Sequence, residues 1–181
     1  MIKASLALGA LIASLINAAP INATPTTTPI EFYTAGELVD LGALPALVSE
    51  VAAANIAVIK GDETFAFCDQ PGYIVYAGYN TTINAIIICT NHASPSHIAT
   101  SFTHEAVHLV QDCKAGLQNA VLETSGALTV RNIWDHLLTE EKRENIKRSY
   151  DPSDWDIETE AFFFQDHPEQ VAGAVNNFCF T

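Results

Sequence analysis

The residues of this chain best suited to chemistry lie in Ser101-Phe102-Thr103-His104-Glu105-Ala106-Val107-His108-Leu109-Val110-Gln111. On a helix, His104 and His108 sit one turn apart on the same face, so two imidazoles can meet one metal ion. Glu105, next to the first histidine, can reach a water held by that ion. The pattern His-Glu-x-x-His therefore carries a mechanism. Neutral imidazoles hold Zn²⁺, the ion acidifies a water, and a carboxylate takes the proton. Chance yields the pattern in about one chain in a hundred of this composition. A catalytic zinc site takes three protein ligands and leaves one position open, so a third ligand must come from elsewhere. His136 and His167 fall outside any compact continuation of the motif, where Cys113 and Lys114 stand. His136 reads as a helix-surface residue and His167 as a helix break. The acids of Asp156-Ile157-Glu158-Thr159-Glu160-Ala161 are better placed. Beside the apolar run Phe162-Phe163-Phe164 they are costly to bury unless a cation compensates them.

Taken together, the His104–Gln111 stretch and Glu158-Thr159-Glu160-Ala161 resemble the gluzincin branch of the zincin metallopeptidases. In many of these a second helix carries a glutamate ligand in an E-x-x-A setting. Small zincin-like proteins with a His-Glu-x-x-His-x-x-Gln helix and a Glu-x-Glu-Ala helix look most similar. The resemblance covers two helices and the strand pattern before them, about a third of the chain. It implies His104 and His108 as zinc ligands, Glu105 as general base, and Glu158, three residues before Ala161, as third ligand. Glu160 matches a different gluzincin pattern, in which the ligand directly precedes a small residue. Residues two apart on a helix point about 200° apart, so only one of the two can face the metal. Glu158 is preferred, because Ala161 then lies under the same face, where two helices can approach closely. Phe162 departs from the family, which often has an orienting acid or amide at that position.

The reaction so implied is hydrolysis of a peptide or protein substrate, with Glu105 taking a proton from the activated water and passing it to the leaving amine. Tyr150, His136, Tyr79 and His97 are open choices for the donor to the developing oxyanion. An edge strand above the motif helix would hold an extended substrate, and residues 83–89 are the candidate. Gln111 reads equally as a hydrogen-bonding neighbour of the site and as a surface amide, whereas Trp134 and Trp155 read as core. Two other readings compete. One is a catalytically silent zincin-fold protein whose metal serves a binding or structural module. The other is a disulfide-stapled binding domain with an accidental motif.

The 181 residues allow one domain with a real core. With 8 Lys+Arg against 21 Asp+Glu, nucleic acid and anionic membrane surfaces are poor partners. Residues 1–23 read as a signal peptide: Lys3, an apolar run from Ala4 to Ile16, then small residues at Ala18, Ala19 and Ala23. That run is too short for stable membrane insertion, and a secreted, periplasmic or otherwise extracytoplasmic location is expected. Residues 24–34, with Pro25 and Pro29, read as an extended linker, and residues 35–181 as the zincin-like metallopeptidase domain. An even cysteine count in an exported chain suggests two disulfides. Of the three connectivities, Cys68 with Cys89 and Cys113 with Cys179 is preferred.

Periodicity predicts a short helix after Ala35 and another from Pro45. Strands are expected at residues 56–59, 64–68, 73–77 and 83–89, arranged as an antiparallel meander. The motif helix should be capped by Ser94 or Ser96 and closed by Gly116. Residues 118–138 read as mostly helical, residues 139–150 as a solvated charged segment, and the last helix, 155–176, as broken at His167-Pro168. The expected class is α+β, zincin-like: a small antiparallel sheet packed on an active-site helix, followed by a helical C-terminal part.

Overall fold

The computed structural model of the protein describes residues 30–62, 65–70, 74–117, 121–126 and 128–180. The expected signal peptide and linker residues 24–29 lie outside them. The fold is α+β, with a four-stranded sheet and seven helices among the described residues.

The sheet runs in the order β1 (Glu31–Phe32), β2 (Ala57–Gly61), β4 (Ala85–Cys89), β3 (Ala77–Asn80). β1 pairs antiparallel with β2 and β3 antiparallel with β4, but β2 and β4 are parallel. The sheet is mixed, which corrects the expected meander. The reason lies in residues 65–70 and 74–76, none of which forms a strand beside β2. Cys68 N and Asp69 N both donate to Phe65 O, at 2.7 and 3.2 Å, so the chain coils there and residues 65–68 of the strand expected at 64–68 are not extended, Thr64 lying outside the described residues. Of the described residues 74–77 in the strand expected at 73–77, only Ala77 is retained, as the start of β3. The expected linker likewise ends in structure, since Glu31 and Phe32 pair with Lys60 and Ile59.

Strand β4 thus lies between β2 and β3, with both faces covered. Ile86 and Ile88 face the main core, while Ala85, Ile87 and Cys89 face a smaller cluster with Cys68, Phe65, Phe67 and Val75. Two glycines make room for that outer layer. A Cβ on Gly61 would stand 2.5 Å from Cys68 Sγ, and one on Gly78 would overlap the Phe67 ring. The Cys68–Cys89 disulfide closes the layer onto β4.

Helix α1 (Ala35–Asp40) starts in a capping box between Thr34 and Glu37, and α2 (Pro45–Ala53) opens on its proline. Helix α3 (Pro95–Ala115) carries the motif. Ser94 caps it by accepting from His97 N, and Gly116, at φ 100°, ends it in the left-handed conformation that glycine adopts without strain. Its Phe102, Ala106, Leu109 and Val110 pack into the core with Val58, Ile86 and Ile88 of the sheet.

Residues 121–126 are not helical, a correction to the expected long helix. Their backbone donors turn elsewhere: Glu123 N to Gln111 O and Ser125 N to Glu160 Oε2. Helix follows only at α4 (Val130–Asn132), which runs into a π-helical turn at Ile133–Leu137. Helix α5 (Glu140–Ser149) is not a purely solvated face. Lys142 Nζ donates to Phe162 O and Asp166 Oδ2, and Arg143 reaches Trp134 O and Leu138 O. The final expected helix is two, α6 (Trp155–Phe164) and α7 (Pro168–Cys179), separated at His167 as the proline requires. The Cys113–Cys179 disulfide joins the ends of α3 and α7. Among the described residues no helix is long and apolar enough to cross a membrane, and the two disulfides fit an oxidising compartment.

Candidate metal centre

Helices α3 and α6 face each other across the site. His104 and His108 project from one face of α3, their rings 5.0 Å apart at a steep angle. From α6, Glu158 reaches between them, with Oε2 3.3 Å from His104 Nε2 and Oε1 3.4 Å from His108 Nε2. Ala161, one turn further on, is fully buried, and having only a methyl side chain it lets the helices close. Glu160 does not join the group. It lies with Gln111 and Ser125, and among the described residues His104, His108 and Glu158 are the set whose ligand atoms all come within 4.8 Å of one another. His136 and His167 are outside that set; the His167 ring packs on Phe163 and Phe164.

The second contact of each histidine fixes what it can offer. Gln111 Nε2 donates to Ile157 O at 3.1 Å and to Glu160 Oε2 at 2.9 Å, both of which accept. Its Oε1 therefore faces His108 Nδ1, 2.8 Å away, and accepts the hydrogen bond of that ring's Nδ1–H. That leaves His108 Nε2, on the side of Glu158, as the nitrogen a cation can take. His104 Nδ1 meets Gln165 Oε1 at 3.0 Å in the same way. Gln165 fills the orienting role that Phe162 cannot, while the Phe162 ring packs edge-on against His104, 4.9 Å between centroids. Sequence reasoning missed Gln165. Its signal was present: Glu158, Ala161 and Gln165 fall at i, i+3 and i+7, one helical stripe.

The electrostatics ask for a cation. His104, Glu105, His108 and Glu158 are 6–7 % exposed, and among the described residues no Lys or Arg is buried. Burial alone would keep His104 neutral, but the carboxylates of Glu158 and Glu105 outweigh it and raise the ring to about 9. Burial pushes Glu105 up as well, against the pull of both histidines, while the Tyr79 backbone N–H favours its charged form. For Glu158 burial is opposed and overcome by His108 and His104, which hold it below the usual carboxylate range. Its Oε2 is buried with His104 Nε2 at 3.3 Å beside it. A divalent ion would displace the protons that the carboxylates hold on these rings, and two Nε2 atoms with the Glu158 carboxylate, beside a second buried carboxylate, fit it. Ligand atoms about 2.1 Å from a tetrahedral centre stand about 3.4 Å apart. The His104, His108 and Glu158 group can hold a metal ion.

Of the four residues considered as oxyanion donors, Tyr150 is the one whose hydroxyl is at the site. Burial and the charges of Glu158 and Glu105 push its pKa well above the usual phenol value. The Tyr79 hydroxyl is engaged by Asp112 Oδ2 at 2.8 Å. His97 bonds Ser94 and packs on Tyr76 in the first turn of α3, and His136 lies in the π-helical turn. Trp134 and Trp155 stack on each other against the core.

Comparison with curated proteins and with solved structures finds no match. A family model described as a domain of unknown function, DUF8637, matches residues 51–180, a span that includes β2 to α7, both disulfides and every residue of the metal group. The chain belongs to the DUF8637 family.

Proposed function

We propose that this protein is a small exported zinc metallopeptidase, zincin-like in the relation of its motif helix to the glutamate helix. The observation that carries the reading is the buried Glu105 carboxylate beside the converging Nε2 atoms of His104 and His108 and the carboxylate of Glu158. Two nitrogens and one oxygen suit zinc better than calcium or magnesium, which take oxygen donors. When bound, zinc supplies a water of lowered pKa and polarises the carbonyl under attack. Glu105 takes the proton from the attacking water and delivers it to the leaving amine; burial raises its affinity for that proton. The Tyr150 hydroxyl supplies a hydrogen bond to the oxyanion. Substrate lies along the outer edge of β3, because residues 83–89 yield a central strand and β3 is the edge beside Glu105. The two disulfides and the signal-like residues 1–23 support export.

A second reading, a metal that stabilises a silent module, draws support from the near-complete burial of the ligands. One experiment separates the two. Purified protein is assayed for zinc and then, beside Glu105→Gln, for cleavage of a mixed peptide library by mass spectrometry. One zinc per chain, cleavage by the wild type and a loss of cleavage with zinc retained in the variant are expected. Absence of stoichiometric metal overturns the site; equal cleavage by both proteins leaves the silent module.

A further inference from the structure

Glu160 is fully buried and lies two residues from the proposed ligand Glu158, on α6. Its carboxylate accepts from Gln111 Nε2 at 2.9 Å, Ser125 N at 2.7 Å and Ser125 Oγ at 2.5 Å. Gln111, also fully buried, sits on α3 three residues past His108. A primary amide has a donor end and an acceptor end of nearly the same shape. Nothing in its own packing decides which end meets the histidine. If the amide presented its NH₂ to His108 Nδ1, the ring proton would move to Nε2 and that nitrogen could not ligate.

We infer that Glu160 is a positioning residue for the metal group: by accepting one Gln111 N–H while Ile157 O accepts the other, it locks the amide oxygen onto His108 Nδ1 and leaves Nε2 open to the cation. The inference rests on the metal-site reading and assigns this glutamate a place in it. The same glutamine also sets the helices in register, because Ile157 and Glu160 bracket Glu158 on α6. Ser125, from the non-helical segment 121–126, aims the carboxylate by holding both of its oxygens. A neutral amide thus orients each histidine, Gln165 for His104 and Gln111 for His108, and only the His108 side is backed by a buried carboxylate. Such outer partners alter metal affinity by about 10–100-fold when removed.

The test compares the full mature chain with Glu160→Gln, which keeps an accepting oxygen, and Glu160→Met, which keeps length without one. Zinc affinity is measured by chelator competition well below each protein's melting temperature. The His108 ring protons are followed by ¹⁵N-correlated NMR on metal-free protein. The wild type should show a slowly exchanging Nδ1 proton on His108. Glu160→Gln should stay within about threefold of wild-type affinity, and Glu160→Met should weaken binding about 10–100-fold and lose protection of that proton. A merely structural glutamate would lower the melting temperature of Glu160→Met without moving either readout, and that result overturns the proposal. If Glu160→Met does not fold, the wild-type spectrum decides: a His108 ring with its proton on Nε2 and none on Nδ1 overturns it. If the wild type binds no zinc but shows the protected proton, the metal reading fails and the hydrogen-bond relay stands. Equal zinc binding by wild type and Glu160→Met sinks the relay alone.

Discussion

On its outer face the sheet is covered by Phe65, Phe67, Val75 and the Cys68–Cys89 bridge, an apolar layer held by packing and a covalent bond. On its inner face, α3 and α6 bury His104, Glu105, His108, Gln111, Asp112, Glu158, Thr159 and Glu160. Both regions exclude water. They differ in what would happen without their fastening. The outer layer would loosen, whereas in the inner one each polar atom that lost its partner would add its own penalty, since an unpaired buried polar group costs about 1–3 kcal/mol and a charge more. Stability and chemistry are therefore separable by mutation, and the separation can be tested from either side.

The largest effect is expected on the inner side. Glu105→Gln removes the proton carrier but keeps an oxygen for the Tyr79 N–H, so peptide cleavage should fall by about 10²–10⁴-fold. Unfolding by urea should show no loss of stability, because a carboxylate whose burial disfavours its charge becomes a neutral amide. A variant that lost activity and stability together would erase the proposed division between the two regions.

The disulfides come next and divide along the same line. Cys113–Cys179 closes 66 residues and Cys68–Cys89 closes 21. On loop-closure entropy these contribute about 4 and about 3 kcal/mol respectively. Paired serine substitutions should lower stability in that order. Cys113 lies on the helix that carries the ligands, so its pair should also weaken zinc binding. The Cys68 and Cys89 pair should leave zinc affinity unchanged. A shift in zinc affinity from the outer pair would show that the two faces are coupled through β4.

A smaller effect is expected from Gly61→Ala. The added methyl meets a cystine sulfur at 2.5 Å and Ile87 Cγ2 at 3.1 Å, and a bridged sulfur has little freedom to retreat. Overpacking of this kind costs about 1–3 kcal/mol. Chemical denaturation should show that loss with zinc affinity intact. Unchanged stability would mean that the outer layer shifts more readily than its glycines imply.

The two regions also differed in how far the sequence disclosed them. Helix α3 could be read almost whole, because capping, periodicity and left-handed termination are local: Ser94, the His104/His108 pair and Gly116 stand where spacing puts them. The preference for Glu158 over Glu160 rested on the gluzincin resemblance and on Ala161 sharing its helix face. The sheet was harder. Strand β4, Ala85–Cys89, is apolar on both faces, so alternation says nothing of register or neighbours. The run at residues 64–68 has strand composition, yet its residues 65–68 coil over β4, where Cys68 is held by Cys89. The Ser125–Glu160–Gln111 chain was beyond reach for another reason: it joins residues 35 and 49 apart in sequence with no motif linking them.

The smallest effect concerns a charge pair left in water, in contrast to the buried set. Lys60 on β2 donates to Glu37 on α1 at 2.7 Å, and Glu37 also accepts from Thr34 in the capping box. The Lys60 contact, followed by the Thr34 bonds, holds the Glu37 pKa at about 2, and Lys60 is raised in turn. The sign follows from the direction. A carboxyl lowered on folding contributes stability that is present above the unfolded value near 4.5 and is lost as pH falls through about 2. The contribution is slight because solvent and salt screen an exposed pair. Carboxyl NMR titration of Lys60→Met should move the Glu37 midpoint upward, though not to the ordinary value, since Thr34 remains. An unmoved midpoint would assign the shift to the helix cap alone and remove the pair as the link between α1 and the sheet.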